Sequence, residues 1–137
     1  EIYAEQYLSF WRTALSHHDM VEGIRLMLAG FEEHCSMNDI EQGCPVNSIS
    51  QEMSATDEGF QQCTSSMYKA HCDLLMTAIE KGIENKQLKA DLKVEQTAWF
   101  IISSFQGIGS IVKSCRSTEC MLKLHEAFIE YLRTLKA

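Results

Sequence analysis

From Gln96 to Val112 the chain carries no charged residue, although 23% of all its residues are Asp, Glu, Lys or Arg. Within that stretch Ala98, Ile101, Ile102, Phe105, Ile108 and Val112 recur at helical intervals. A helix without charge must be kept from water on nearly every side, because an exposed face would show Lys and Glu. One small domain rarely surrounds its own helix so fully. The simplest cover for the second face is another copy of the chain.

The remaining composition favours helices. Ala, Leu, Met, Glu, Gln and Lys outnumber Val, Ile and Thr, and there is a single proline. A chain of 137 residues is one domain by size and buries about two-thirds of its unfolded surface. Six helices and no strand are expected, an all-α multi-helix bundle. The first runs Ile2–His18, with Tyr3, Tyr7, Leu8, Trp11, Ala14 and Leu15 at a steady spacing of three and four. It begins at once, without a cap residue, as if cut from something longer. The second runs Met20–Ser36 behind an Asp19 cap with Glu22 three residues on. A polar turn, Met37–Gly43, leads to a short third helix from Pro45 to Ser54. The fourth is long, Asp57–Asn85, and a linker from Lys86 to Leu92 follows it. The fifth is Lys93–Ser114, and the sixth runs from a Ser117 cap to Lys136.

Projected at about 100° per residue, the fifth helix has two sides. Val94, Ala98, Ile101, Ile102, Phe105, Ile108, Gly109 and Val112 form the inward one. Ser103, Gly107, Ser110 and Ser114 fall at spacings that let a second helix approach closely. The projection leaves open whether Trp99 and Gln106, on the same side, face that helix or a ligand. The sixth helix carries an apolar arc of roughly 200°, including Leu122 and Ile129, where a surface helix needs about 100°. A partner inside the subunit and one across a dyad account for the excess. The last two helices and their twins would then form a four-helix dimer interface.

The charge is −7. No cluster of Lys and Arg suits a phosphate backbone, so this chain should not grip nucleic acid by itself. No apolar run reaches spanning length, which argues against a membrane protein. The six cysteines, Cys35, Cys44, Cys63, Cys72, Cys115 and Cys120, read as small buried hydrophobes of a cytoplasmic protein. The alternative is a secreted helical-bundle signalling protein held by three disulfides. No CxxC or CxxH spacing points to a metal. No GxSxG, HExxH, P-loop or dinucleotide fingerprint points to an enzyme or a cofactor.

Three segments carry a family likeness. Gly43-Cys44-Pro45-Val46-Asn47, followed by Gln51-Glu52-Met53-Ser54, is similar to a GC-x-x-x-N…E-x-S segment. Ala78 to Gly82, continued by Gln87-Leu88-Lys89-Ala90-Asp91-Leu92, is similar to a helix end and a G-x-L-x-x-D-L linker. Ala98-Trp99-Phe100 through Ser104-Phe105-Gln106-Gly107 is similar to an A-x-x-x-x-x-x-L-Q-G helix. In order and spacing the chain resembles the C-terminal regulatory domain of TetR-family transcriptional regulators. Lys93 departs from the pattern, standing where a helix cap such as Asp is usual.

The resemblance implies that residues 1–137 are a ligand-binding and dimerisation domain. The family's helix-turn-helix DNA-binding unit would precede it and is absent from this chain. The implied protein is a homodimeric repressor that a small organic ligand releases from DNA, with DNA contacted only through the missing unit. A pocket for such a ligand needs apolar walls and a few polar groups. Tyr7, Trp11, Met27, Phe31, Met53, Met67, His71, Trp99, Ser103 and Gln106 are the candidates. His71 stands on the core stripe of the long helix, one turn from Met67, where an imidazole needs a partner. It reads as a satisfied core histidine, a ligand-facing one or a metal ligand. His125, on the apolar arc of the last helix, is placed to hydrogen-bond across the dimer. The interface candidates are Ser103, Gly107, Ser110, Ser114, Leu122 and Ile129.

Overall fold

The computed structural model of the chain describes residues 2–42, 52, 53 and 55–137. Six helices are assigned among them: α1 Ile2–Leu15, α2 Met20–His34, α3 Met37–Gln42, α4 Glu58–Glu84, α5 Val94–Cys115 and α6 Thr118–Arg133. The expected helix from Pro45 to Ser54 lies mostly outside the described residues. At its described end, Glu52 and Met53 are helical and exposed.

The helix starts follow from the sequence. Asp19 accepts from the backbone N–H of Glu22, Asp57 from that of Phe60, and Ser117 from that of Cys120. Each satisfies a donor that has no partner inside the helix. Lys93 makes no side-chain cap, as its chemistry dictates.

The segment read as a polar turn after residue 36 is helix α3. Ser36 and Asp39 form a reciprocal box: Asp39 Oδ2 accepts from the Ser36 N–H, and Ser36 Oγ accepts from the Asp39 N–H. One apolar residue, Ile40, then anchors the helix in a small cluster with Val112 and Met121. The S-x-x-D spacing was the available signal. It was outweighed in the sequence by the polarity of its neighbours.

The long helix α4 is the centre of the bundle and packs against α1 on one side and α5 on the other. Helix α2 covers α1 and touches α6, which in turn packs on α5. Trp11, Ile24, Leu28, Leu75, Ile79, Ile101 and Leu132 are fully buried where these helices meet. Helices α1 and α2 approach so closely that a Cβ on Gly23 would lie 1.9 Å from the Ala14 carbonyl oxygen. Only glycine fits that crossing.

The linker after α4 is pinned to the end of the chain. Leu88 and Lys136 form an isolated antiparallel bridge, with Lys89 N–H donating to Leu135 O and Ala137 N–H to Gln87 O. Lys136 Nζ also reaches Asp19 Oδ2 at 2.8 Å, tying the same end to the α1–α2 turn. Burial pushes the Asp19 carboxyl up, but its bonds to Lys136 and to backbone N–H groups outweigh this and hold it below the usual range.

Candidate functional site

Helices α1, α4 and α5 meet around one polar chain inside the aromatic core. Tyr7 lies on the inward face of α1, with Trp11 one turn on. Both are buried, because the 3–4 spacing that makes α1 amphipathic places them toward α4. His71 of α4 is fully buried between them. The Tyr7 hydroxyl lies 2.9 Å from His71 Nδ1, and the Gln106 amide of α5 donates to the same hydroxyl at 2.8 Å. The Tyr7 hydroxyl can donate to Nδ1 while accepting from Gln106, and in that tautomer the imidazole hydrogen sits on Nε2.

Rings enclose this chain. His71 lies 4.3 Å from Trp11 and 5.1 Å from Tyr7 between ring centroids. Phe105 closes the group, edge-on to Trp11 at 5.0 Å and tilted against Tyr7 at 6.5 Å. Burial pushes the His71 pKa down from 6.5 to about 3, so the ring is neutral at physiological pH. Its Nε2 is buried with no hydrogen-bond partner among the described residues. An unmet buried group of this kind costs about 1–3 kcal/mol. Among the described residues no group of three or more His, Cys, Asp or Glu could hold a metal ion.

Five of the ten sequence candidates therefore belong together: Tyr7, Trp11, Met67, His71 and Gln106. Met67 is buried one turn along α4 from His71. The others lie elsewhere. Phe31 is 54% exposed, Met53 41% and Trp99 39%. Ser103 is exposed, its hydroxyl bonded back to the Phe100 carbonyl. Met27 lines an open groove of about 800 Å³ between α1 and α2, with Phe10, Leu26 and His17. The periodicity of α5 marks Phe105 as core, and its ring also touches both Tyr7 and Trp11. Its position beside Gln106 on the inward edge of α5 was the signal.

The outward face of α5 is apolar and uncharged. Phe100 is 53% and Ile111 50% exposed, and Ser103, Gly107 and Ser114 are exposed between and beyond them. Phe100, Gly107 and Ile111 lie within about 40° of one another around the helix. The sequence reading assigned Phe100 and Ile111 to neither side. Phe100 meets Tyr131 of α6 edge-on at 4.9 Å, so the Tyr131 flank of α6 continues this face. Leu122 and Ile129 are turned roughly 160–180° from Tyr131 around α6. Ile129 packs against the main core, and Leu122 is exposed on that other flank. Ser110 is half-buried beside the face.

Two expectations are corrected. His125 bonds within the chain rather than across a dyad: its Nδ1 lies 2.7 Å from Glu32 of α2. The cysteines are not uniformly core residues. Cys72 is buried, Cys35 and Cys120 are half-buried, and Cys63 and Cys115 are exposed; all five are free thiols, and Cys44 lies outside the described residues.

Comparison with known proteins decides the class. The family model described as "Tetracyclin repressor-like, C-terminal domain" matches residues 21–128, well over half of the chain. The chain belongs to the TetR family. A solved structure, a TetR transcriptional regulator from Chloroflexus aurantiacus J-10-fl, matches this TetR-family domain with a TM-score of 0.80. The match covers 98% of this chain and 69% of that one, at 15% sequence identity. At that identity the likeness establishes a shared TetR-like all-α fold. No curated protein matches the sequence. No helix among the described residues of this TetR-family domain is long and apolar enough to cross a membrane. Membership displaces the alternative of a secreted signalling bundle.

Proposed function

We propose that this domain binds a small apolar or amphipathic organic molecule and dimerises, as the regulatory part of a cytoplasmic transcriptional repressor. DNA would be held by a helix-turn-helix unit outside the chain, since a net charge of −7 opposes binding to phosphates. The observation that carries this reading is the buried chain Gln106–Tyr7–His71, which ends in an unpartnered Nε2 inside an aromatic shell.

The same chain gives the ligand a means of acting. Gln106 belongs to the helix whose outer face, Phe100, Gly107 and Ile111, would meet the second copy. Tyr7 belongs to the helix that would lead to the DNA-reading unit. A ligand that displaces the Gln106–Tyr7 bond changes the relation of α1 to α5. It shifts the population away from the DNA-binding arrangement by its differential affinity for the two states. A shift from 1:99 to 99:1 requires about 5.5 kcal/mol of such difference.

Native mass spectrometry of the purified domain tests the proposal. The expected species is a dimer, twice the chain mass of 15.6 kDa, with added mass from a retained small molecule or from one supplied in a screen. A monomer at micromolar concentration that takes up none of a broad panel of organic molecules would overturn it.

A further inference from the structure

Resting on the ligand-binding reading above, we infer that the ligand is an uncharged, mainly aromatic molecule whose carbonyl oxygen accepts the hydrogen of His71 Nε2. The imidazole is 0% exposed, and its Nε2 has no hydrogen-bond partner among the described residues. The opposite nitrogen is held by Tyr7, which is in turn held by Gln106, so the ring's orientation is set before anything binds, and the tautomer in which Tyr7 donates to Nδ1 carries its hydrogen on Nε2. A site prepared in this way selects a molecule that supplies the missing acceptor and discriminates against one that lacks it.

The surroundings set the rest of the ligand. His71, Tyr7, Trp11 and Phe105 touch one another ring to ring, two pairs edge-on and two tilted. An aromatic ligand replaces such contacts with equivalent ones, which a polar or flexible molecule cannot do. None of these side chains carries charge. The nearest cation along α1, Arg12, is paired with Glu5 on the exposed side of the helix. An ionised ligand would lose its hydration without gaining a counter-charge. Phe105 and Gln106 are only half-buried, and they mark the edge by which a molecule reaches the ring.

Three naphthalenes of similar shape test this on the unaltered chain by tryptophan fluorescence titration. 2-Acetylnaphthalene carries the acceptor, 2-isopropenylnaphthalene replaces its C=O with C=CH2, and 2-naphthoate carries a charge. The ketone is expected to bind at least about tenfold more tightly than the hydrocarbon, and the carboxylate more weakly than the ketone. In ring-nitrogen NMR spectra the His71 Nε2 resonance should move with the ketone and stay with the hydrocarbon. His71→Phe should abolish the preference while both neutral compounds still bind. If that variant does not fold, the Nε2 resonance of the unaltered chain decides. Equal affinities for ketone and hydrocarbon, with Nε2 unmoved, would overturn this inference and leave the ligand-binding reading standing. Failure of all three compounds to bind would count against both.

Discussion

Gln106 of α5 donates to the Tyr7 hydroxyl of α1 across 2.8 Å. Its chain neighbour Gly107 stands on the outward face, with nothing within 4 Å of where a Cβ would lie. Adjacent residues of one helix thus point to the buried polar chain and to the uncharged surface. Any rotation of α5 that breaks the first contact also moves the second.

Removing the Tyr7 hydroxyl leaves both the Gln106 amide and His71 Nδ1 without that partner. Tyr7→Phe should therefore lower stability by about 1–3 kcal/mol in urea denaturation. Gln106→Leu added to it should cost less than Gln106→Leu alone, because the two changes remove a shared bond. Strictly additive losses would show that the contact contributes nothing to stability.

Gly107→Leu separates fold from assembly. Within one chain the position is open, and leucine is a better helix former than glycine by up to about 1 kcal/mol. Helicity should be preserved. If α5 packs closely on its twin, the dimer should dissociate, as read by sedimentation equilibrium. Unchanged dimer affinity would place the interface elsewhere.

Gly23→Ala should destabilise the domain by about 1–3 kcal/mol, because its Cβ would meet the Ala14 backbone oxygen rather than a side chain that can turn away. Gly30→Ala, with nothing within 4 Å, should be neutral or stabilising by up to about 1 kcal/mol. Thermal melts of the two variants should move in opposite directions. A Gly23→Ala protein as stable as the parent would mean that α1 and α2 slide apart freely.

The buried neutral His71 also predicts a pH dependence. Its folded pKa, about 3, is below its ordinary value of 6.5. Between these values the unfolded chain binds the extra proton, so stability rises with pH across the window and falls as the solution is acidified through it. The slope from this residue approaches about 1.4 kcal/mol per pH unit. His71→Phe, compared by denaturation at pH 4 and pH 7, should flatten the profile. An unchanged slope would show that other groups account for acid sensitivity.

The elements most legible in the sequence were those with a repeated signal. The starts of α2 and α6 followed from the caps Asp19 and Ser117, each a local bond between a side chain and a backbone three residues on. The inward stripe of α5 followed from periodicity alone, and Ala98, Ile101, Ile102 and Val112 are all buried. Helix α3 was hidden because one apolar residue, Ile40, gives no period to read. His125 was assigned to the wrong partner for a related reason. A wheel shows that it faces inward but not which carboxylate arrives there, and Glu32 lies 93 residues away in the chain.

Spacing and side-chain type are enough to make this protein a bundle of helices, to leave α5 without charge from Gln96 to Val112, and to face Tyr7, Trp11 and His71 inward. These are consequences of spacing and side-chain chemistry within a few turns. The crossing of the helices is what joins Tyr7, His71 and Gln106 into one hydrogen-bonded chain. It also turned Gln106 inward while Trp99 remained partly exposed, and carried the outward face of α5 through Phe100 onto Tyr131. Those relations depend on how three helices cross, and crossing is set by close contacts such as Gly23 against Ala14 that no local pattern records.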